Sequence, residues 1–322
     1  MISQTHSPHS RFGYAWLALI VLIALPAHRS LAQDSTASAA FASGLLISSA
    51  TGMETAWEIP KNPLSDSLLP RDKRLAEQVR LGYAYFTKTP EAATRLSGNN
   101  MTCSNCHLNA GQRDKALPLA GISGLFPEYN KRQVRMISLE DRIVGCFERS
   151  MNSTGRQTKG SQPASRLSGT EPEVLAIASY ITWLSEGVGV GEKPSWRGHN
   201  VLSQEQLIPV HNLDPEKGRK LYVEKCTNCH GDNGQGVEIG DKKAGPLWGD
   251  GSWNDGAGAA RVYTLAGMIR YMMPYLDPGS LTDEEAQHIA AYITSKKRPK
   301  FPYKAADYRT EPLPVDAVYY KR

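Results

Sequence analysis

Beyond its first thirty or so residues, the chain lacks any apolar run approaching the roughly 20 residues that a bilayer span needs. It also lacks a strong charge of either sign. Its 37 Lys and Arg stand against 32 Asp and Glu, a formal net charge of +5. Mild basicity without a Lys/Arg-rich aromatic surface motif gives no reason to expect nucleic acid as a partner. Cysteine is scarce: five in 322 residues, an odd number that leaves at least one without a disulfide partner.

The one extended apolar stretch is at the N-terminus. Arg11 precedes an apolar core from Tyr14 to Ala27, and Ser30-Leu31-Ala32 offers a small-residue cleavage site before Gln33. Residues 1–32 therefore read as a secretory signal peptide, with an uncleaved anchor as the alternative. Loss of Arg11 and Arg29 would leave a charge of +3. No membrane span is expected in the mature chain, and export points to the periplasm. Residues 33–56 are rich in Ala and Ser and read as a flexible leader.

Four of the five cysteines fall in two identical frames, Cys103-Ser-Asn-Cys106-His107 and Cys226-Thr-Asn-Cys229-His230. Cys-x-x-Cys-His is the attachment frame of c-type haem, with two thioethers and a proximal histidine. Two such frames in an exported chain imply two covalently bound haem c groups, held by Cys103, Cys106, Cys226 and Cys229. A zinc site is the rival, but it wants paired clusters converging on one metal.

Helical patterns flank each frame. From Arg71 to Thr87, Leu75, Val79, Tyr83 and Phe86 recur at helical spacing, and Thr89-Pro90 ends the run. Thr170-Glu-Pro-Glu173 and Thr282-Asp-Glu-Glu285 each read as a capping box. The helices they open share a pattern, Ile177-Ala-Ser-Tyr-Ile-Thr182 against Ile289-Ala-Ala-Tyr-Ile-Thr294. The chain thus contains an internal repeat. The first copy is longer, with 74 positions from Cys106 to Tyr180 against 63 from Cys229 to Tyr292. The extra length falls around Cys146, the fifth cysteine.

The expected fold is all-α, two tandem class I cytochrome c domains joined by a linker. The boundaries read 57–190 for the first domain, 191–213 for the linker, 214–298 for the second domain and 299–322 for a C-terminal tail that wraps the surface or is partly mobile. Leu117-Pro118 and Gly245-Pro246 resemble the proline turn of cytochromes c, where the proline's carbonyl accepts the proximal histidine's other ring N–H. Gly218, just before the second frame, matches the glycine at which the first and last helices of that family cross. Met272-Met273-Pro274 resembles its methionine ligand loop. His230 and Met273 are the expected ligands of the second iron, with Met272 and Met268 as alternatives. Thioether ligation raises the potential and suits an electron exit.

The first domain has no Met-Pro pair. His107 and Cys146 are the expected ligands there, a thiolate favouring ferric iron. The alternative for Cys146 is a buried free thiol. If residues 138–151 are helical, Arg142, Cys146 and Ser150 share one face, with Arg149 beside them and Lys131, Arg132 and Arg135 just upstream. Such a cluster favours thiolate and offers planar donor forks to oxyanions. It could equally be a solvated face in which Glu140, Asp141 and Glu148 pair with the arginines.

Asn105-Cys106-His107-Leu-Asn-Ala-Gly111, Pro118-Leu-Ala-Gly121 and above all Asp141-Arg-Ile-Val-Gly-Cys-Phe-Glu-Arg-Ser-Met-Asn152 resemble motifs of the dihaem thiosulfate dehydrogenases, which form tetrathionate. The likeness runs from about Trp57 to about Lys304. It implies an active-site haem on His107 and Cys146, and an electron-transfer haem on His230 and a methionine. It also implies a substrate pocket at Arg132, Arg142 and Ser150, and catalysis at Cys146. Thiosulfate and tetrathionate would be substrate and product. A small soluble or membrane-bound acceptor, a cytochrome or high-potential iron–sulfur protein, would take the electrons. Some relatives carry lysine where Met272 stands, so lysine–methionine exchange is not expected here. The competing functions are a non-catalytic dihaem carrier and a sulfur-compound transferase subunit. His199, His211 and His288 fit no ligand spacing and read as surface or structural residues.

Overall fold

The structure is a computed structural model that describes residues 59–155, 166–239 and 242–321. The expected signal peptide and leader lie outside these residues. Six longer helices organise the chain: α1 (Lys73–Thr87), α2 (Leu139–Arg149), α3 (Pro172–Leu184), α4 (Pro215–Lys225), α5 (Val262–Met272) and α6 (Asp283–Thr294). Among the described residues, β-structure is confined to two short antiparallel ribbons. In one, β1 (Glu128–Asn130) pairs with β2 (Arg135–Ile137), Glu128 opposite Ile137. No described helix is long and apolar enough to cross a membrane.

The internal repeat is visible as two helix crossings. α1 lies across α3 so closely that a Cβ on Gly82 would sit 2.0 Å from the Ala176 carbonyl oxygen and 2.8 Å from Tyr180 Cβ. α4 crosses α6 in the same way, with Gly218 at 1.9 Å from the His288 oxygen and 3.0 Å from Tyr292 Cβ. Only glycine admits that approach. The crossing also explains a correction to the pattern expected for α1. Its buried face is Ala76, Val79, Gly82 and Phe86. Tyr83 is half-buried, and Leu75 is 46% exposed. The helix turns its glycine, not its leucine, toward α3.

Capping differs between the copies. Thr282 and Glu285 form the expected box, with N–H to side-chain oxygen distances of 3.2 and 2.7 Å. Thr170 and Glu173 do not. Glu171 is the N-cap of α3 and Pro172 is its first residue. Proline favours that first position, where its missing N–H costs nothing, so the helix starts one residue later than the box requires. Glu173 instead takes Arg95 in a fork, at 3.0 and 2.6 Å.

α2 opens on Ser138 and Asp141, each side chain accepting the other's backbone N–H. It buries Ile143, Val144 and Phe147. Most of the buried apolar residues of both copies belong to one continuous cluster. The linker is packed into it: Leu202 is buried, and the buried Trp196 donates its indole N–H to the Ala120 carbonyl at 2.9 Å. The tail is anchored as well. Phe301, Asp316 and Ala317 are buried, and Asp316 accepts two bonds from Arg261.

Candidate active site

The first Cys-x-x-Cys-His frame begins on a single 3-10 turn, Cys103–Asn105, capped by Thr102. His107 Nδ1 lies 2.6 Å from the Leu117 carbonyl, and its ring packs 6.0 Å from that of Phe86 on α1. Burial pushes the His107 pKa down to about 4; the Leu117 carbonyl opposes this, and nearby Arg142 adds to it. The imidazole is therefore neutral near pH 7, with Nδ1 engaged and Nε2 free of that bond. The second frame repeats the device: His230 Nδ1 lies 3.2 Å from the Gly245 carbonyl. In both copies the acceptor belongs to the residue before the proline, not to the proline as expected. The oxygen aimed at each ring is that of the X–Pro amide itself.

These residues fit a c-type haem. Burial pushes the Cys103, Cys106 and Cys226 thiols up to about 12, so they are neutral sulfurs in dry surroundings. In the second unit the Trp253 side chain is buried, and its indole N–H has no protein acceptor. Buried donors normally have partners, and a haem carboxylate would supply one. Among the described residues no three His, Cys, Asp or Glu side chains gather as a zinc site would require.

The methionines divide by environment. Met268 and Met272 are buried, clustered with Leu108 and Ala116. Met273 ends α5 in extended backbone (φ −124°, ψ 151°) and is half-buried. Of the three, it is the one released from the helix.

Cys146 lies in the middle of α2 and is half-buried. Its sulfur is within electrostatic range of Cys103 and Cys106 of the first frame. Arg142, one turn earlier, is exposed, and its charge reaches His107. Ser150, one turn later, is half-buried and closes the helix with its N–H on the Cys146 carbonyl at 2.7 Å. Arg132 comes from the turn between β1 and β2. Its guanidinium donates to the Gly256 carbonyl at 2.8 Å and to Tyr308 Oη at 3.2 Å.

Two of the acidic residues on this helix are spoken for elsewhere. Asp141 takes Arg135 at 2.8 and 2.9 Å, and Glu148 takes Arg166 at 3.0 and 3.1 Å. Arg149 is buried in a forked pair with Asp307, both bonds at 2.7 Å, and also donates to Gly256. It is a structural arginine, despite its place in the expected cluster. Arg142 has no ion pair among the described residues and is exposed. Sequence reasoning missed Asp307, Tyr308 and Trp253. None has a fixed spacing from the frames, and the first two come from the tail.

Residues 93–190 match the family described as SoxA/TsdA, cytochrome c domain, and residues 213–293 match cytochrome C oxidase, cbb3-type, subunit III. The thiosulfate dehydrogenase of Stutzerimonas stutzeri is 37% identical over 239 residues, covering 72% of this chain and 73% of that protein. The chain belongs to the thiosulfate dehydrogenase family. A second thiosulfate dehydrogenase, from Allochromatium vinosum, is 36% identical over 73% of this chain and 83% of its own length. The solved thiosulfate dehydrogenase TsdBA of Marichromatium purpuratum, as isolated, aligns with a TM-score of 0.66 at 35% identity. That alignment covers 78% of this chain, which spans 53% of the longer solved one. Like its family, the chain is an all-α oxidoreductase of two cytochrome c domains carrying two c-type haems.

Proposed function

We propose that the protein works in the periplasm and joins two thiosulfate ions into one tetrathionate, with Cys146 as the reacting sulfur. On this reading His107 and Cys146 hold the iron of the first domain, and His230 and Met273 hold that of the second. When bound, the haems supply two one-electron acceptors, which pass electrons on to an external cytochrome or iron–sulfur protein.

The observation that carries this reading is the setting of Cys146. The sulfur lies within electrostatic range of the first frame, with an arginine that has no ion pair among the described residues one turn away, and an electron carrier has no use for either. Two dianions at about 4–5 Å repel by on the order of ten kcal/mol at an effective dielectric near 20. Arg142 and Arg132 offset that repulsion by holding the sulfonate oxygens in planar forks. Ser150 adds a hydroxyl donor.

Cys146 thiolate forms a sulfur–sulfur bond with the first thiosulfate, and this oxidation releases two electrons. The second thiosulfate attacks the bound outer sulfur. Its own sulfur–sulfur bond forms as the bond to Cys146 breaks, regenerating the thiolate and freeing tetrathionate. Because thiosulfate carries no proton near neutral pH, none need be transferred. The same groups serve tetrathionate reduction when the external partner has a potential low enough to donate the two electrons.

The test is turnover of the purified dihaem protein with thiosulfate and ferricyanide, beside Cys146→Ala and Cys146→Ser. Tetrathionate should form, both variants should lose at least a hundredfold in rate, and substrate should add mass at Cys146. A dihaem carrier would give no turnover, with variants that keep a normal haem spectrum.

A further inference from the structure

Six positions past His107, Arg113 is 2% exposed. Guanidinium is charged at any working pH, yet no described carboxylate pairs with it. The adjacent Asp114 lies instead 3.6 Å from His199. Arg113 spends one amino group on the second domain: Nη2 donates to the Tyr275 carbonyl at 3.0 Å, and the guanidinium lies 4.6 Å from the centre of the Tyr275 ring. Its other amino nitrogen, Nη1, is buried with no protein acceptor. Tyr275 in turn donates its hydroxyl to Asn109 Oδ1 at 3.3 Å.

Two links follow from this arrangement. First, Tyr275 stands two residues beyond Met273, so the loop after His107 grips the methionine loop of the other domain at both ends of one tyrosine. Second, a buried cation with an open donor calls for an anion. The carboxylates that a c-type haem brings are its propionates. The Met268 and Met272 side chains pack with Leu108 and Ala116, beside Cys106 and Met273. Arg113 thus lies at the seam where the two haem-bearing segments meet.

We propose that Arg113 is a positioning and redox-tuning residue of the second haem, fixing the Met273 loop through Tyr275 and taking a propionate of that haem on Nη1. A fixed cation beside an iron favours the ferrous state, because reduction lowers the positive charge of the centre. Arg113 would thereby hold electrons on the second haem, downstream of the first.

This inference rests on Met273 as the ligand, but not on the identity of the substrate. The test is accordingly potentiometric titration of the dihaem protein without thiosulfate, following the two haems separately. The methionine–iron charge-transfer band is read in every sample. Its absence from the unmodified protein would count against Met273 and not against Arg113. Arg113→Gln should cut the ferrous-to-ferric ratio of the second haem about tenfold at fixed ambient potential, about 59 mV for one electron. Arg113→Lys keeps the charge without the fork or the ring stacking, and should cut it about threefold. Tyr275→Phe, which keeps the carbonyl and the ring that Arg113 uses but loses the hydroxyl's hold on Asn109, should shift it by less than Arg113→Gln does. The first haem should move less than threefold in all three. An unchanged second haem in Arg113→Gln, or a shift confined to the first haem, overturns the proposal. If Arg113→Gln does not take up haem, Arg113→Lys decides alone: a threefold shift supports the proposal and none refutes it.

Discussion

Gly245 is pressed against Asn105, so that a Cβ on the glycine would lie 2.8 Å from the asparagine's Cγ. Asn105 sits inside the first Cys-x-x-Cys-His frame, and the Gly245 carbonyl orients His230 of the second. Asn105 Nδ2 also donates to the Lys243 carbonyl at 3.3 Å. The two frames thus touch through one glycine. Gly245→Ala should destabilise the protein by about 1–3 kcal/mol through overpacking. Adding Asn105→Ala should recover part of that loss, a coupling of at least about 0.5 kcal/mol between contacting sites. Denaturant titration of the wild type, the two single variants and the double variant measures it.

Arg142 and Arg149 stand two helical turns apart on α2, with opposite expected behaviour. Arg149 and Asp307 are buried, with side chains 6% and 3% exposed. Removing one partner alone should cost about 3–5 kcal/mol, because the other is left as an unpaired buried charge. Arg142→Ala should change stability by no more than about 0.5 kcal/mol. It should nonetheless lower kcat/KM for thiosulfate at least tenfold, about 1.4 kcal/mol of lost transition-state binding. Thermal melts beside steady-state kinetics separate the two effects, and equal stability losses would remove the distinction.

Tyr308 comes from the tail but serves Arg132. Its hydroxyl accepts from the guanidinium, and its backbone N–H donates to the Arg132 carbonyl at 2.8 Å. Tyr308→Phe removes only the first contact, worth about 1.5 kcal/mol, the low end for a bond to a charged group. If Arg132 binds substrate, KM should rise about five- to twentyfold, with kcat falling by less. A fall in kcat alone would place Arg132 outside substrate binding.

Acid should loosen the start of α2 at low pH only. The Asp141 carboxyl is held below its usual value by Arg135 first and the Ser138 N–H next, against its partial burial. A depressed folded pKa gives stability that is fully present above the unfolded value near 3.9. That stability is lost as pH falls through the folded value. Asp141→Asn should therefore cost up to about 1 kcal/mol at pH 7 and almost nothing near pH 2. A cost that persists at pH 2 would mean that the side chain acts through packing, not charge.

Much of the architecture was legible in the residues, because haem attachment and helix capping depend on short, fixed spacings. The two frames, the Thr282 cap, the Gly218 crossing and the α2 helix were of this kind. Local patterns failed where a distant partner decided the outcome. Leu75 lost its place in the core because Gly82 had to face α3. Glu173 left its cap for Arg95, across 78 positions of sequence. The surroundings of Cys146 were legible as an arginine cluster, but not the sorting of those arginines. Asp307 claims Arg149 from 158 residues away, and no periodicity records such a pairing.

Arg132 and Arg149, from the first half of the chain, both donate to the carbonyl of Gly256 in the second. A backbone oxygen cannot be altered by substitution, so this tie survives drift in the side chains around it. It also limits modular exchange. Grafting a free-standing cytochrome in place of the second half would supply a new electron outlet, but would remove the atom against which two arginines of the first half are set. Chimeras cut near residue 200 should therefore mature poorly even when each parent is sound.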